Sequence, residues 1–221
     1  MEYYQSKKNT YFTNSRKDII QLLKKNPESK ILEIGAGGGD TLIEIKLRGL
    51  ASEVWGVELF SLPNSNQKDE SIDRFFISNI EKEFDFLPKN YFDAILCGDV
   101  LEHLVDPWTV VSQLTECLKI GGVFISSIPN IRIRSAFSKI YWKGDFSYTD
   151  AGTFDKTHLR FFCKKNMIEL FSSERLQVVK TFPNFDFNDN EKRFQILNRL
   201  TFRLFEEFLA LQFLIISEKI K

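Results

Sequence analysis

The chain has 221 residues, 43% of them hydrophobic, and its 30 Lys and Arg balance 30 Asp and Glu. A chain of this size buries roughly 70% of its unfolded surface, so it folds without disulfide or metal staples, which excludes a disordered tail, a collagen-like repeat and a disulfide mini-protein. Zero formal charge weighs against a nucleic-acid partner, which needs a basic excess. The three cysteines, Cys97, Cys117 and Cys163, are odd in number and lack metal-binding spacing, which fits free thiols in a reducing, cytoplasmic setting. The N-terminus has no apolar secretory core, and the longest apolar run, Phe208 to Ile216, is broken by Gln212 and too short to span a bilayer.

In chain order, residues 15–25 place Ile19, Ile20, Leu22 and Leu23 among charges, with Pro27 beyond, which predicts an amphipathic helix within a helical cap over 1–28. Ile31-Leu32-Glu33-Ile34 predicts a buried strand that runs into a glycine cluster. A helix starts at Asp40, carries Leu42, Ile45 and Leu47, and ends near Gly49. Val54–Val57, Arg74–Ile77 and Phe92–Cys97 predict three more strands. Asp106-Pro107 pairs an N-cap acid with proline at the first helical position, starting a helix that runs to about Leu118. Val123–Ser126 predicts a fifth strand.

Residues 129–162 break the alternation and read as an insertion, a substrate lid over the sheet edge. A helix near 164–173 and a strand near 176–182 follow. Phe194, Leu197, Leu200, Leu204 and Phe208 stand at helical spacing and predict one helix over 191–208, packed on the core or docked on a membrane that holds a lipid-linked glycan. Phe213–Ile216 is the last strand. The β-α-β order predicts a single domain over 1–221 with an α/β fold: a Rossmann-like, doubly wound, mostly parallel seven-stranded sheet with helices on both faces. The sequence sets no oligomeric state.

Glu33-Ile34-Gly35-Ala36-Gly37-Gly38-Gly39-Asp40 joins the first strand to the next helix. Glycines permit a tight turn and close ligand approach, and the helix start offers free N–H groups. A dinucleotide loop of the GxGxxG kind would need glycine where Asp40 stands. The charge of Asp40 also disfavours a pyrophosphate there. The loop suits a cofactor with a cationic end, which Glu33 would meet unless it only orients the loop; the lesser alternative is a glycine-rich turn with no ligand.

This loop, Val57-Glu58, the stretch Asp93 to Leu104 and Leu118 to Gly122 resemble the class I S-adenosylmethionine-dependent methyltransferases. The resemblance implies that Glu58 binds the two ribose hydroxyls, with Leu59 beside it. It implies that Gly35, Ala36, Gly37 and Gly39 contact the methionine part of the cofactor, and that Asn79 and Ile80 meet the adenine. Asn79 stands where the family often has Asp. Cys97, Gly98 and Asp99 complete the implied cofactor set. Tyr3, Tyr4, Tyr11 and Arg16 read as closing over the cofactor or as a frayed terminus.

Ser127-Ile128-Pro129-Asn130, Tyr148 to Gly152 and Asp155 to Phe162 are similar to bacterial methyltransferases of surface-polysaccharide and sugar pathways. That implies a small-molecule, sugar or glycan acceptor bearing a hydroxyl or an amine, with Arg132, Tyr148, His158 and Arg160 as its contacts. Arg132, Arg134, Lys139 and Lys143 lie in the insertion with Tyr141, Trp142 and Tyr148, either as a solvated loop or as a lid whose cations meet a diphosphate. A hydroxyl nucleophile benefits from a base or a metal. His103 and His158, the two histidines, and Asp99 are the catalytic candidates, with a structural role as the alternative for each histidine.

Asp99-x-x-Glu102-His103 with the distant His158 is also similar to the metal-dependent small-RNA 2′-O-methyltransferases and ubiquinone-pathway O-methyltransferases. That implies Asp99, Glu102, His103 and His158 as ligands of Mg²⁺ or Mn²⁺, or else Asp99 and Glu102 as loop supports. The rival functions are an O-methyltransferase of a quinone-like phenol or an RNA 3′ end, and a non-catalytic cofactor-binding partner of a glycosyltransferase. An NAD-dependent oxidoreductase is disfavoured by Asp40 and the loop spacing.

Overall fold

A computed structural model describes residues 14–185 and 191–221, so Tyr3, Tyr4 and Tyr11 lie outside the described residues. Seven strands form one sheet: β1 (Lys30–Ile34), β2 (Glu53–Glu58), β3 (Arg74–Ile77), β4 (Phe92–Gly98), β5 (Leu118–Pro129), β6 (Leu176–Asn184) and β7 (Gln212–Lys219). Their order across the sheet is β3-β2-β1-β4-β5-β7-β6. The pairs from β3 through β5 are parallel, and β7 runs antiparallel between β5 and β6. This is the Rossmann-like, mostly parallel seven-stranded sheet expected from the sequence, with one reversed strand.

Successive side chains on a strand point to opposite faces. Leu32 and Ile34 of β1 join Ile95, Leu114 and Phe124 in a core on one face of the sheet. Ile31 joins Leu42, Ile45, Val54, Leu96 and Ile125 in a core on the other. Glu33 shares the parity of Ile31 and so enters the second face as a buried acid, 4% exposed. The register aligns Ile34 with Val57 and with Cys97. Gly35, Glu58 and Gly98 therefore emerge in one row at the carboxyl edge, where the strand order reverses about β1 and β4.

The helices among the described residues are α1 (Lys17–Ile20), α2 (Asp40–Leu47), α3 (Pro107–Cys117), α4 (Arg134–Phe137), α5 (Lys164–Leu170), α6 (Glu191–Leu200) and α7 (Glu206–Leu209). A 3₁₀ turn spans Leu101–His103 and a π turn spans Ser138–Trp142. Asp106 caps α3 by accepting from the Thr109 N–H at 3.1 Å, with Pro107 in the first turn.

Two helices differ from the sequence expectation. The helix over 15–25 contracts to the four residues of α1, which bury Ile19 and Ile20, while Leu22 and Leu23 pack on the same core from the turn beyond. The helix over 191–208 splits into α6 and α7, with Phe202 and Arg203 between them in the left-handed region at φ 51° and 64°. Beyond the break the buried Glu206 pairs with Lys164 at 2.8 Å and with Arg203 at 2.7 Å. Within 129–162, Ile133, Ala136 and Phe154 form a small apolar cluster. Asn130, fully buried, pins this segment by donating to the carbonyls of Glu207 at 2.6 Å and Ala210 at 2.9 Å.

Candidate active site

A cavity of about 670 Å³ opens at the carboxyl edge of the strands, walled by the glycine loop, Glu58 to Phe60, Ser78 to Lys82, Gly98 to Val100 and the segment around His103. That volume lies within the range of small-molecule and cofactor sites. Gly35 sits at φ +70°, and a Cβ there would fall 2.3 Å from Val100 Cγ2, so both conformation and space require glycine.

Glu58, 7% exposed, clamps the loop from the end of β2. Its Oε2 accepts from the Gly37 N–H at 2.9 Å and its Oε1 from the Leu59 N–H at 2.7 Å. Burial raises this carboxyl above the usual range, against the pull of the N–H groups of Gly37, Leu59 and Phe60. Each oxygen retains acceptor capacity for a diol. Glu33 is the second acid in the wall. Burial pushes its carboxyl up to about 8, opposed by the Thr41 hydroxyl and by Arg16. Glu33 Oε2 is buried with no hydrogen-bond partner among the described residues. A buried acceptor left unpaired costs roughly 1–3 kcal/mol, so a cationic or N–H-bearing ligand here has a reward waiting. Asn79 and Ile80 line the cavity beside these acids. The residues present therefore fit a cofactor with an ammonium end and a diol.

Two of the expected cofactor residues do not line the cavity. Cys97 is fully buried in the core, and its neighbour Gly98 is what reaches the cavity. Gly39, at φ +91°, is glycine because a Cβ would fall 2.8 Å from Ile72 Cδ1, not because it borders the cavity.

Asp99 lines the cavity at φ +56°, and its carboxylate is filled by the protein. Oδ2 accepts from Arg16 Nη1 at 2.8 Å; Oδ1 accepts from Gln212 Nε2 at 2.7 Å and Ser127 Oγ at 3.1 Å. Arg16 lies across Gly98, where a Cβ would fall 2.4 Å from its Nη1. Asp99 thus anchors Arg16, β5 and β7 at the cavity edge, and it does not group with Glu102, His103 and His158.

Glu102, His103 and His158 come together, with one ligand atom from each within 4.8 Å of the others. The Nδ1 atoms of His103 and His158 lie 3.0 Å from the Thr157 carbonyl and 3.1 Å from the Thr153 carbonyl. A carbonyl partner places a proton on Nδ1 of each ring. His158 Nε2 is 3.9 Å from Glu102 Oε1, and the two rings meet edge to face at 4.8 Å. The strap that carries His158 is stitched to this loop: the N–H groups of Leu159 and Arg160 donate to the Glu102 carbonyl at 2.8 and 2.9 Å. Of the three, His103 lines the cavity, alongside Thr157 and Leu159 of the strap.

The structure does not bring the expected acceptor residues into the cavity wall. Arg132 pairs with Glu207 at 2.6 Å. Tyr148 packs among the rings of Phe146 and Phe161. Arg160 donates to the Val105 carbonyl and lies over Trp108 at 5.6 Å. His158 is buried behind His103. Sequence reasoning missed Thr41, Gln212 and Thr157. Gln212 had one signal, a polar residue interrupting an apolar run; Thr41 and Thr157 act through contacts that no local pattern announces.

The fold and this site define a class I S-adenosylmethionine-dependent methyltransferase. The chain belongs to the methyltransferase domain family, whose model matches residues 7–181. It is 26% identical over 182 residues to the ubiquinone biosynthesis O-methyltransferase of Proteus mirabilis, covering 72% of this chain and 71% of that one. It spans about half the length of relatives of the same name from Colwellia psychrerythraea and Xanthomonas campestris. Among solved structures, it is similar to an S-adenosylmethionine-dependent methyltransferase from Archaeoglobus fulgidus: TM-score 0.59, 17% identity, 96% of this chain and 97% of that one. It is also similar to the Burkholderia thailandensis 1,6-didemethyltoxoflavin-N1-methyltransferase with bound S-adenosylhomocysteine: TM-score 0.62, 15% identity, 99% of this chain and 83% of that one.

Proposed function

We propose that this enzyme methylates a hydroxyl oxygen on a small acceptor, first a sugar of a glycan or nucleotide-sugar pathway. The observation that carries the oxygen assignment is the Glu102–His103–His158 cluster at the cavity wall. Imidazole and carboxylate groups are the kind that take a proton from an alcohol during methyl transfer. S-adenosylmethionine, when bound, supplies a sulfonium methyl open to in-line displacement. The chain's own work is positioning: Glu58 holds the diol, Glu33 the ammonium, and the wall of Leu104, Val105 and Leu159 excludes water around the acceptor. His103 takes the proton at Nε2, and Glu102 steadies the charge through His158.

The same three residues fit one divalent ion, Mg²⁺ or Mn²⁺, as a two-histidine, one-carboxylate set. Such an ion lowers a hydroxyl pKa. The sugar reading rests on the resemblance over residues 127–130, 148–152 and 155–162. A phenol acceptor is the second reading, favoured by the names of the Proteus and Xanthomonas relatives. A cytoplasmic setting belongs to the same proposal and is supported by three free cysteines. The test is transfer of labelled methyl to nucleotide sugars and to catechol-type phenols, each with and without EDTA. Labelled sugar ether supports the first reading and labelled phenol ether the second. Loss of activity in EDTA, restored by Mn²⁺ or Mg²⁺, supports the metal. S-adenosylhomocysteine binding with no transfer to any acceptor overturns the proposal in favour of a non-catalytic partner.

A further inference from the structure

The helical segment before β7 is turned inside out. In α6, Phe194 packs on the core beneath the Arg134 guanidinium, 4.6 Å from its ring. Asn198 is 6% exposed and donates to Glu206 at 3.4 Å. Steps of 100° per residue then place Arg193, Ile196, Leu197 and Leu200 on the opposite side. There Ile196 is 58% exposed, Leu197 44% and Leu200 72%. The left-handed turn that follows projects Phe202 and Leu204, 88% and 80% exposed.

The 129–162 segment extends this surface. Phe208 meets Phe137 edge to face at 5.6 Å, and Phe137 stacks on Tyr141 at 4.4 Å. Tyr141 and its neighbour Trp142 are 73% and 79% exposed. Single exposed apolar residues are ordinary; a connected surface of them marks an interaction site.

The charge around the patch says what covers it. Arg132, Lys139 and Arg203 are answered by Glu207, Asp145 and Glu206, while Lys143, Arg193 and Arg199 show no ion pair among the described residues and leave the patch with a cationic excess. A second copy of the chain would set these cations against their own kind. An anionic bilayer meets both features: aromatic and aliphatic side chains enter the headgroup boundary while Arg and Lys reach up to the phosphates. No helix among the described residues is long and apolar enough to cross a membrane, so the contact is a surface one. We propose that α6, the turn at 201–205 and residues 137–142 dock this enzyme on an anionic lipid bilayer.

The test is flotation of the full chain with vesicles of phosphatidylcholine plus phosphatidylglycerol, against pure phosphatidylcholine, at low and high salt. The chain binds the mixed vesicles, binds the neutral ones weakly, and is released by salt. Phe202→Ser with Leu204→Ser lowers the partition about tenfold or more, since each side chain forfeits burial of an apolar surface. Arg193→Glu with Arg199→Glu lowers it by about fivefold or more per position. Both variants keep the wild-type circular dichroism and affinity for S-adenosylhomocysteine, because none of these residues borders the cavity. Failure of the wild-type chain to float with mixed vesicles overturns the proposal. So does light scattering that shows a dimer which the serine variant splits, since the patch is then an interface between copies.

Discussion

The two walls of the active site are built differently. The cofactor wall is local: Gly37 and Glu58 lie 21 positions apart, and each acid sits in or at the end of a strand that the sheet register aligns. The opposite wall is assembled over long loops: His103 to Thr157 spans 54 positions, Arg16 to Asp99 spans 83 and Gln212 to Asp99 spans 113. The local wall follows as soon as β1 and β2 pair. The distant wall needs β5, β7 and the strap in place first, and its catalytic cluster depends on backbone carbonyls that orient the rings. Substitutions on the local side should therefore act on cofactor affinity, and those on the distant side on turnover.

The largest expected effect is at His103. His103→Ala lowers kcat by about 10²- to 10⁴-fold, the usual worth of a general acid or base. Its affinity for S-adenosylhomocysteine, read by calorimetry, stays at the wild-type value. A matching loss of affinity would erase the division between the walls. Next is Glu58→Ala, which removes a charged acceptor and raises the S-adenosylhomocysteine Kd by about 10- to 100-fold. Gly35→Ala forces a Cβ against Val100 at a φ that side chains avoid, which costs roughly 1–3 kcal/mol and shows as a lower Tm and weaker cofactor binding.

A smaller and more diagnostic effect is the pH dependence of Glu33. Its folded carboxyl titrates at about 8 against an ordinary 4.5, because it is buried. A raised folded value means that the neutral form stabilises the fold. That stability is fully present below the ordinary value and is lost as pH rises through about 8. The Tm of the cofactor-free protein should fall over this window, and Glu33→Gln should flatten the fall. Cofactor binding has the opposite sign, since the ammonium wants the anion: affinity for S-adenosylhomocysteine rises as pH approaches 8, with a proton released on binding near pH 7. Calorimetry in two buffers of different ionisation heat reads that proton directly. An affinity that is flat in pH would remove Glu33 from the ammonium site. Smallest is Arg16→Met. It frees one contact of a carboxylate that Ser127 and Gln212 still hold, and should lower kcat by severalfold, on the order of 1 kcal/mol, with the cofactor Kd unchanged.

The same division explains what could be read from the sequence. The strand-glycine-helix unit, Glu58 one strand later and the Asp106-Pro107 helix start each declare themselves within a few residues, and the structure places all three as expected. Glu102, His103 and His158 were legible as residue types, and the structure adds that Asp99 does not join them. Three things were hidden. Asp99 looks like a ligand until Arg16 and Gln212, far away in the chain, are seen to fill it. Arg132 and Tyr148 look like acceptor contacts until Glu207 and Phe146 are seen to hold them elsewhere. The 191–208 pattern has perfect helical spacing, but spacing does not say which face points inward. The buried Asn198 and Glu206 take the inward face instead, and the helix ends before the left-handed pair Phe202 and Arg203.

The central claim is that an oxygen acceptor is methylated at the wall built by Glu102, His103 and His158. The most direct measurement is single-turnover transfer of labelled methyl from S-adenosylmethionine to a panel of hydroxylated acceptors, with wild-type and His103→Ala proteins at saturating cofactor. The account predicts label on a hydroxyl oxygen and a collapse of the transfer step in His103→Ala while both proteins bind the cofactor equally. Label on nitrogen, or a His103→Ala enzyme that transfers at the wild-type rate, would contradict it.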